Sequence, residues 1–181
     1  MPIRHVGKSP IERIKEIKDV LQKLPVQTAN TALNHFLDNF KTQSWEGQKW
    51  KARSGWADRN EGRAILHETG ILKGALTKTA SANRAKVYVA SPADKYADIH
   101  NEGGSIRLAP TSQRIKWAWA MYYNDQTATG KALYKAIALK MQSGKSLNIK
   151  IPKRQFIGHS DKLNQKLQDK IHKQLTKIWN T

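Results

Sequence analysis

Cysteine is absent from this 181-residue chain, which removes disulfide frameworks, thiolate zinc sites and cysteine nucleophiles together. Acid is scarce: 14 Asp and Glu stand against 32 Lys and Arg, a formal net charge of +18 and a sequence pI near 10.2. The few carboxylates are scattered, and none forms a close pair placed for acid–base chemistry. No apolar run approaches the ~18 residues that would signal a membrane span. The first ten residues, MPIRHVGKSP, lack the apolar core of a secretion signal, so Sec export is not expected. Internal repeats and low-complexity tracts are also missing. What is present is enough for one folded domain. Hydrophobic residues make up 39% of the chain and six of them are Trp, a supply that suits a real core. The expected product is a soluble protein of a reducing compartment whose surface attracts polyanions.

Ser9-Pro10-Ile11-Glu12 reads as a helix start, with Ser9 as cap, Pro10 in the first turn and Glu12 closing a capping box. Ile11, Ile14, Ile17, Val20, Leu21 and Leu24 then draw an apolar stripe. Pro25 is expected to end or sharply turn this helix, because proline disfavours helical geometry at the residue before it. A second stripe (Val26, Ala29, Leu33, Phe36, Leu37, Phe40) predicts a second helix, so residues 1–43 read as N-terminal helices. They have to cover a sheet or a partner subunit. From Trp45 to Gly62 the periodicity dissolves into an irregular loop pinned by aromatics.

Residues 64–76 read as a short helix broken at Gly70. Leu76–Ser81 and Lys86–Ala90 read as a β-hairpin turning at Asn83-Arg84. A turn of helix over Tyr96–His100 ends at Gly103-Gly104, and a short strand over Ile106–Leu108 is closed by Pro110. Residues 111–146 form a basic helical insertion with a polar break at 124–130. From Gln113 to Arg154 nine cations face Asp125 alone. Leu147, Ile149 and Ile151 alternate as a half-buried strand stopped by Pro152, and Ser160 opens a closing amphipathic helix. The fold class is α+β: a small, mostly antiparallel sheet packed by the N-terminal helices and the C-terminal helix, carrying a helical insertion, all in one domain over 1–181.

Each enzymatic motif fails at a residue it needs. Leu66-His67-Glu68-Thr69-Gly70-Ile71 begins like a zinc-protease helix, but Ile71 stands where the second His belongs. His100-Asn101-Glu102 has the deaminase spacing without any downstream Cys pair. Gly144-Lys145-Ser146 lacks the leading Gly of a phosphate loop, since Leu139 occupies that place. No catalytic residue, metal ligand or cofactor is therefore expected. For nucleic acid, Trp117, Trp119, Tyr122 and Tyr123 interleave with cations and suit either base stacking or the packing of the insertion itself. Arg114, Lys116, Lys131, Lys135 and Lys140 are the residues placed for contact with a polyanion.

Three short motifs follow one another in order. The first is Leu66-His67-Glu68-Thr69-Gly70-Ile71-Leu72. The second is Tyr96-Ala97-Asp98-Ile99-His100-Asn101-Glu102-Gly103-Gly104. The third is Ile151-Pro152-Lys153-Arg154-Gln155-Phe156-Ile157-Gly158. Together, over residues 45–179, they resemble the phage virion morphogenesis family of Mu G-like tail completion or neck proteins. Its elements are L-x-x-T-G-x-L, Y-A-x-I-H-x-x-G and P-x-R-x-F-[LI]-G. The insertion departs from the minimal pattern, and nothing of the family is carried onto it.

In their own chemistry these are motifs of folding and docking. Thr69-Gly70 can end a helix with a left-handed residue. Arg154 offers a forked donor for a carboxylate or carbonyl, Phe156 a large anchor, and Gly158 a turn. Leu66, Leu72, Tyr96, Ala97, His100, Gly103 and Pro152 complete the set, as supports within the chain or at a subunit interface. The resemblance implies a structural virion protein acting at the head–tail junction. It would form a homo-oligomer, as a ring, and dock against connector, neck or tail-tube proteins. Its place is the virion, and the host cytoplasm during assembly, away from any membrane. The second reading is a basic accessory protein that contacts nucleic acid, without base specificity or as a reader, through residues 111–154.

Overall fold

The computed structural model describes residues 7–52, 64–66 and 70–180. Helix α1 (Pro10–Thr42) opens as its sequence predicts. Ser9 Oγ accepts from the Glu12 N–H, and the Glu12 carboxylate accepts from the Ser9 N–H at 2.7 Å. It does not end at Pro25. The two expected N-terminal helices are one continuous helix of 33 residues, about 50 Å long at ~1.5 Å per residue.

An internal proline removes one backbone hydrogen bond and costs about 3 kcal/mol in isolation. The compensation lies in helix α6 (Asp161–Trp179), which runs beside α1 and grips it on both sides of Pro25. Lys170 Nζ donates to Thr31 Oγ1 at 3.2 Å and Gln174 Nε2 donates to Gln27 Oε1 at 2.7 Å. Beyond the proline, Ile178 and Val20 line one shallow cavity, and the Arg13 guanidinium sits 5.5 Å from the Trp179 ring centre.

After α1 the chain forms a minimal hairpin, β1 (Ser44–Trp45) and β2 (Gln48–Lys49), in place of the irregular loop that the lost periodicity predicts. Glu46 and Gly47 both take positive φ, 51° and 91°, as a two-residue hairpin turn requires. Its Trp45 ring stacks on Phe36 at 6.2 Å. Gly70 (φ 73°) leads into a four-residue helix, α2 (Ile71–Gly74). The left-handed glycine stands at the start of this helical turn. The remaining stretch of that motif, His67-Glu68-Thr69, lies outside the described residues, as does Trp56.

Strands β3 (Leu76–Ser81) and β4 (Arg84–Val89) form the expected hairpin and lie against α1. Arg84 pairs with Ser81, so the turn is Ala82-Asn83. Helix α3 (Asp94–Glu102) follows, then β5 (Gly104–Leu108), α4 (Ser112–Asn124), α5 (Ala128–Gln142) and β6 (Leu147–Ile151). The fold is α+β, and among the described residues its strands form three separate antiparallel pairs, β1–β2, β3–β4 and β5–β6.

Two regions result. The body holds the main core, in which Phe156 is fully buried among Phe40, Trp50, Leu72, Leu76, Ala93 and Ala97. A smaller cluster of Ala32, Phe36 and Leu163 secures α6 to α1. The second region is an arm, residues 104–151. The β5–β6 ladder, with Gly104 opposite Ile151 and Leu108 opposite Leu147, is a stem that carries the α4–α5 helical hairpin. Ala118 and Ala138, both without exposed surface, let the two helices approach closely. The arm packs chiefly on itself and meets the body where β5 joins α3.

Candidate functional site

Residues 152–160 join β6 to α6 without regular secondary structure, yet part of this segment is buried. A buried backbone has to find hydrogen-bond partners outside any ladder, and here side chains from three other segments supply them. The Arg154 N–H donates to the His100 carbonyl at 2.9 Å. Asn101 Oδ1 accepts from the Phe156 and Ile157 N–H groups at 3.0 and 3.2 Å. Asn39 Nδ2 donates to the Phe156 carbonyl at 3.2 Å, and the Trp50 indole donates to the Gln155 carbonyl at 2.8 Å. Arg154 itself is buried; its Nε reaches the Lys51 carbonyl at 3.0 Å and an Nη the Ala52 carbonyl at 3.2 Å.

The predicted motif residues gather around this loop. Phe156 packs against Phe40 with ring centres 5.2 Å apart. Leu72 and Ala97 are buried in the same cluster, and Leu66 and Tyr96 pack at its edge. The Tyr96 ring stands edge-on to His100 at 6.0 Å. Gly103 (φ 75°) leaves no room for a side chain, since a Cβ there would come within 2.7 Å of the Lys153 backbone nitrogen. Pro152 follows β6, and Gly158 turns with φ 145°. Thr69 lies outside the described residues. Burial pushes the His100 imidazole toward its neutral form, helped by the positive charge of Arg154. The sequence does not single out Asn39 and Asn101. An asparagine on the apolar flank of α1, and another between His100 and Glu102, are the only traces of their role.

A second cluster joins Ser160, His35 and Glu46 at the start of α6. Ser160 caps α6 by accepting from the Leu163 N–H at 3.1 Å. Its hydroxyl proton goes to Glu46 Oε1, and His35 Nε2 lies 3.0 Å away. Burial is the main cause that lowers the His35 pKa below its usual value and keeps it neutral, with Lys166 assisting and Glu46 opposing. In the deaminase-like pair, Glu102 is exposed and bound to Lys153 at 3.1 Å. Among the described residues no group of three His, Asp or Glu is placed to hold a metal ion.

Two surfaces are left uncovered. At the far end of α1, Ile11, Ile14, Leu21 and Val26 are exposed, as is Trp179 at the end of α6. On the arm, Arg114, Lys116, Lys131, Lys135 and Lys140 are all exposed. They stand apart from the motif residues, which lie in the body.

A sequence model of the phage virion morphogenesis family matches residues 12–176. The chain belongs to this family. The match takes in α1 from its first turn, which the three motifs alone did not reach, and it runs across the arm as well. No curated protein and no solved structure matches the chain. Family membership makes this a phage protein of virion assembly, with a structural role. Among the described residues no helix is long and apolar enough to cross a membrane.

Proposed function

We propose that the chain works at the head–tail junction of a tailed phage particle, as a tail completion or neck protein. It would associate with copies of itself in a ring and dock against connector, neck or tail-tube proteins. The work is binding rather than catalysis, done first in the host cytoplasm during assembly and then in the virion. Its family supports the setting, and the observation that carries the mode of action is the uncovered end of α1. Ile11, Ile14 and Leu21 recur at steps of three and seven residues, on a flank of the helix next to the one α6 holds, and all three are exposed. Clustered apolar surface of this kind marks a contact with another macromolecule. A second copy presenting the same helix would cover it, and polar neighbours such as Lys15 and Lys18 would set the register.

Light scattering on the intact chain tests this. Wild type is expected to show a defined oligomer. I14D/L21D is expected to run as a monomer with an unchanged melting temperature, because neither side chain contributes to the core. Wild-type mass in that double variant would remove α1 as the assembly surface.

A further inference from the structure

The arm's one acidic residue is turned inward. Asp125 is buried, and its Oδ1 accepts from the Thr127 N–H at 2.8 Å and from the Thr127 hydroxyl at 2.7 Å. The carboxylate fills the space beside Gly130, where a Cβ would fall 2.0 Å from Asp125 Oδ2. It lies at the start of α5, where the positive end of a helix favours a negative charge. Every one of the eight Lys and Arg residues between Gly104 and Ile151 is exposed. No carboxylate among the described residues forms an ion pair with any of them. The surface of the arm thus has one sign of charge throughout. The back of α6 differs: there Lys162, Lys166 and Lys170 alternate with the exposed acids Asp161 and Asp169.

The aromatic residues of the arm are mostly spent on the arm itself. Trp117 meets Tyr134 edge-on at 5.7 Å, and Trp119 meets Tyr122 edge-on at 5.6 Å. Tyr134 is buried, and Trp119 and Tyr122 are half-buried. Trp117 and Tyr123 keep open ring face, 51% and 71% exposed, and the eight exposed cations outnumber them four to one. That combination selects a polyanion recognised by its backbone charge.

We propose that the arm binds the phosphate backbone of double-stranded DNA without base preference. Duplex DNA presents one charge per ~1.7 Å of axis, about twice the density of a single strand. Helix α5, roughly 22 Å long at ~1.5 Å per residue, lays Lys131 and Lys135 along one flank and Lys140 along another. The proposal stands independently of where the protein sits in the particle, because it rests on the arm alone.

Fluorescence anisotropy with the full-length chain and a labelled 30-base-pair duplex, titrated with salt, tests it. K131Q/K135Q/K140Q is expected to weaken binding about tenfold or more at moderate salt. It should also reduce the slope of log K against log salt by roughly 0.9 for each phosphate that the variant no longer neutralises. K162Q/K166Q/K173Q on α6 removes the same charge and is expected to weaken binding less than about threefold. Y123S and W117L are each expected to leave affinity unchanged. Equal losses from the two triple variants would reduce the effect to net charge and overturn the proposal. Tighter binding to a single strand of the same length, or a loss of affinity in Y123S or W117L, would replace it with base stacking. Light scattering on the same arm variant separates the two readings, since loss of DNA affinity with the oligomer intact leaves self-assembly standing.

Discussion

The body and the arm solve the problem of folding in different ways. In the body an irregular loop is buried at the centre, and its backbone is satisfied by Asn39, Trp50, His100 and Asn101 from elements more than fifty residues distant in sequence. In the arm the α4–α5 pair is built from neighbours in sequence, and the β5–β6 ladder closes its base. Thr111 and Thr127 cap the helices, alanines close the gap between them, and Asp125 secures the turn. The body therefore depends on a few long-range contacts that tolerate little change. The arm combines a local helical hairpin with one long-range strand pair, and its outer surface carries charge.

The sharpest way to break the distinction is at Phe156. Phe156→Ala opens a cavity where no surface is exposed, and is expected to destabilise the body by ~3–5 kcal/mol. Chemical denaturation would measure it, and a loss under ~1 kcal/mol would mean that the loop is not the hub. Next comes Gly130→Ala, whose Cβ collides with the Asp125 carboxylate. Overpacking of this kind costs ~1–3 kcal/mol. Hydrogen exchange is expected to show faster exchange in α4 and α5 with body amides unchanged. Loss of protection in both regions would show that arm and body fold as one unit.

The smallest effect is the response to pH. His35 and His100 both lie in the body, and both hold a proton less readily when folded than their usual pKa of 6.5 implies. The unfolded chain thus binds more protons as pH falls through that value. Stability is full above about pH 6.5 and declines below it. Body melting is expected to fall between about pH 7.5 and about pH 5.5, while the arm, which has no histidine, keeps its protection. His35→Gln should reduce the shift.

Local elements are legible in the sequence because local chemistry decides them. The Ser9 capping box, the β3–β4 hairpin, the helical pair around 124–130 and the Ser160 cap all follow from residues within a few positions of one another. Three features are not. Pro25 breaks a helix in isolation, and only the presence of α6 alongside, joined to α1 across more than 130 residues of chain, explains why it does not here. The β1–β2 turn is hidden because Glu46-Gly47 is flanked by strands only two residues long. Among the motif residues, Phe156 and Arg154 stand out by type. The asparagines that fix the loop around them do not, since nothing local distinguishes a buried bridging Asn from a solvated one. The +18 charge also takes on a different meaning in the fold. Much of it lies on the arm, away from the residues that carry the family resemblance.

The most direct test of the role in assembly is to locate the chain in the particle, by cryo-electron microscopy of virions carrying a small tag at its C-terminus. Ordered, rotationally repeated density at the head–tail junction is the expected result. Tag density spread over the capsid shell, or its absence from finished virions, would contradict a role as a junction component.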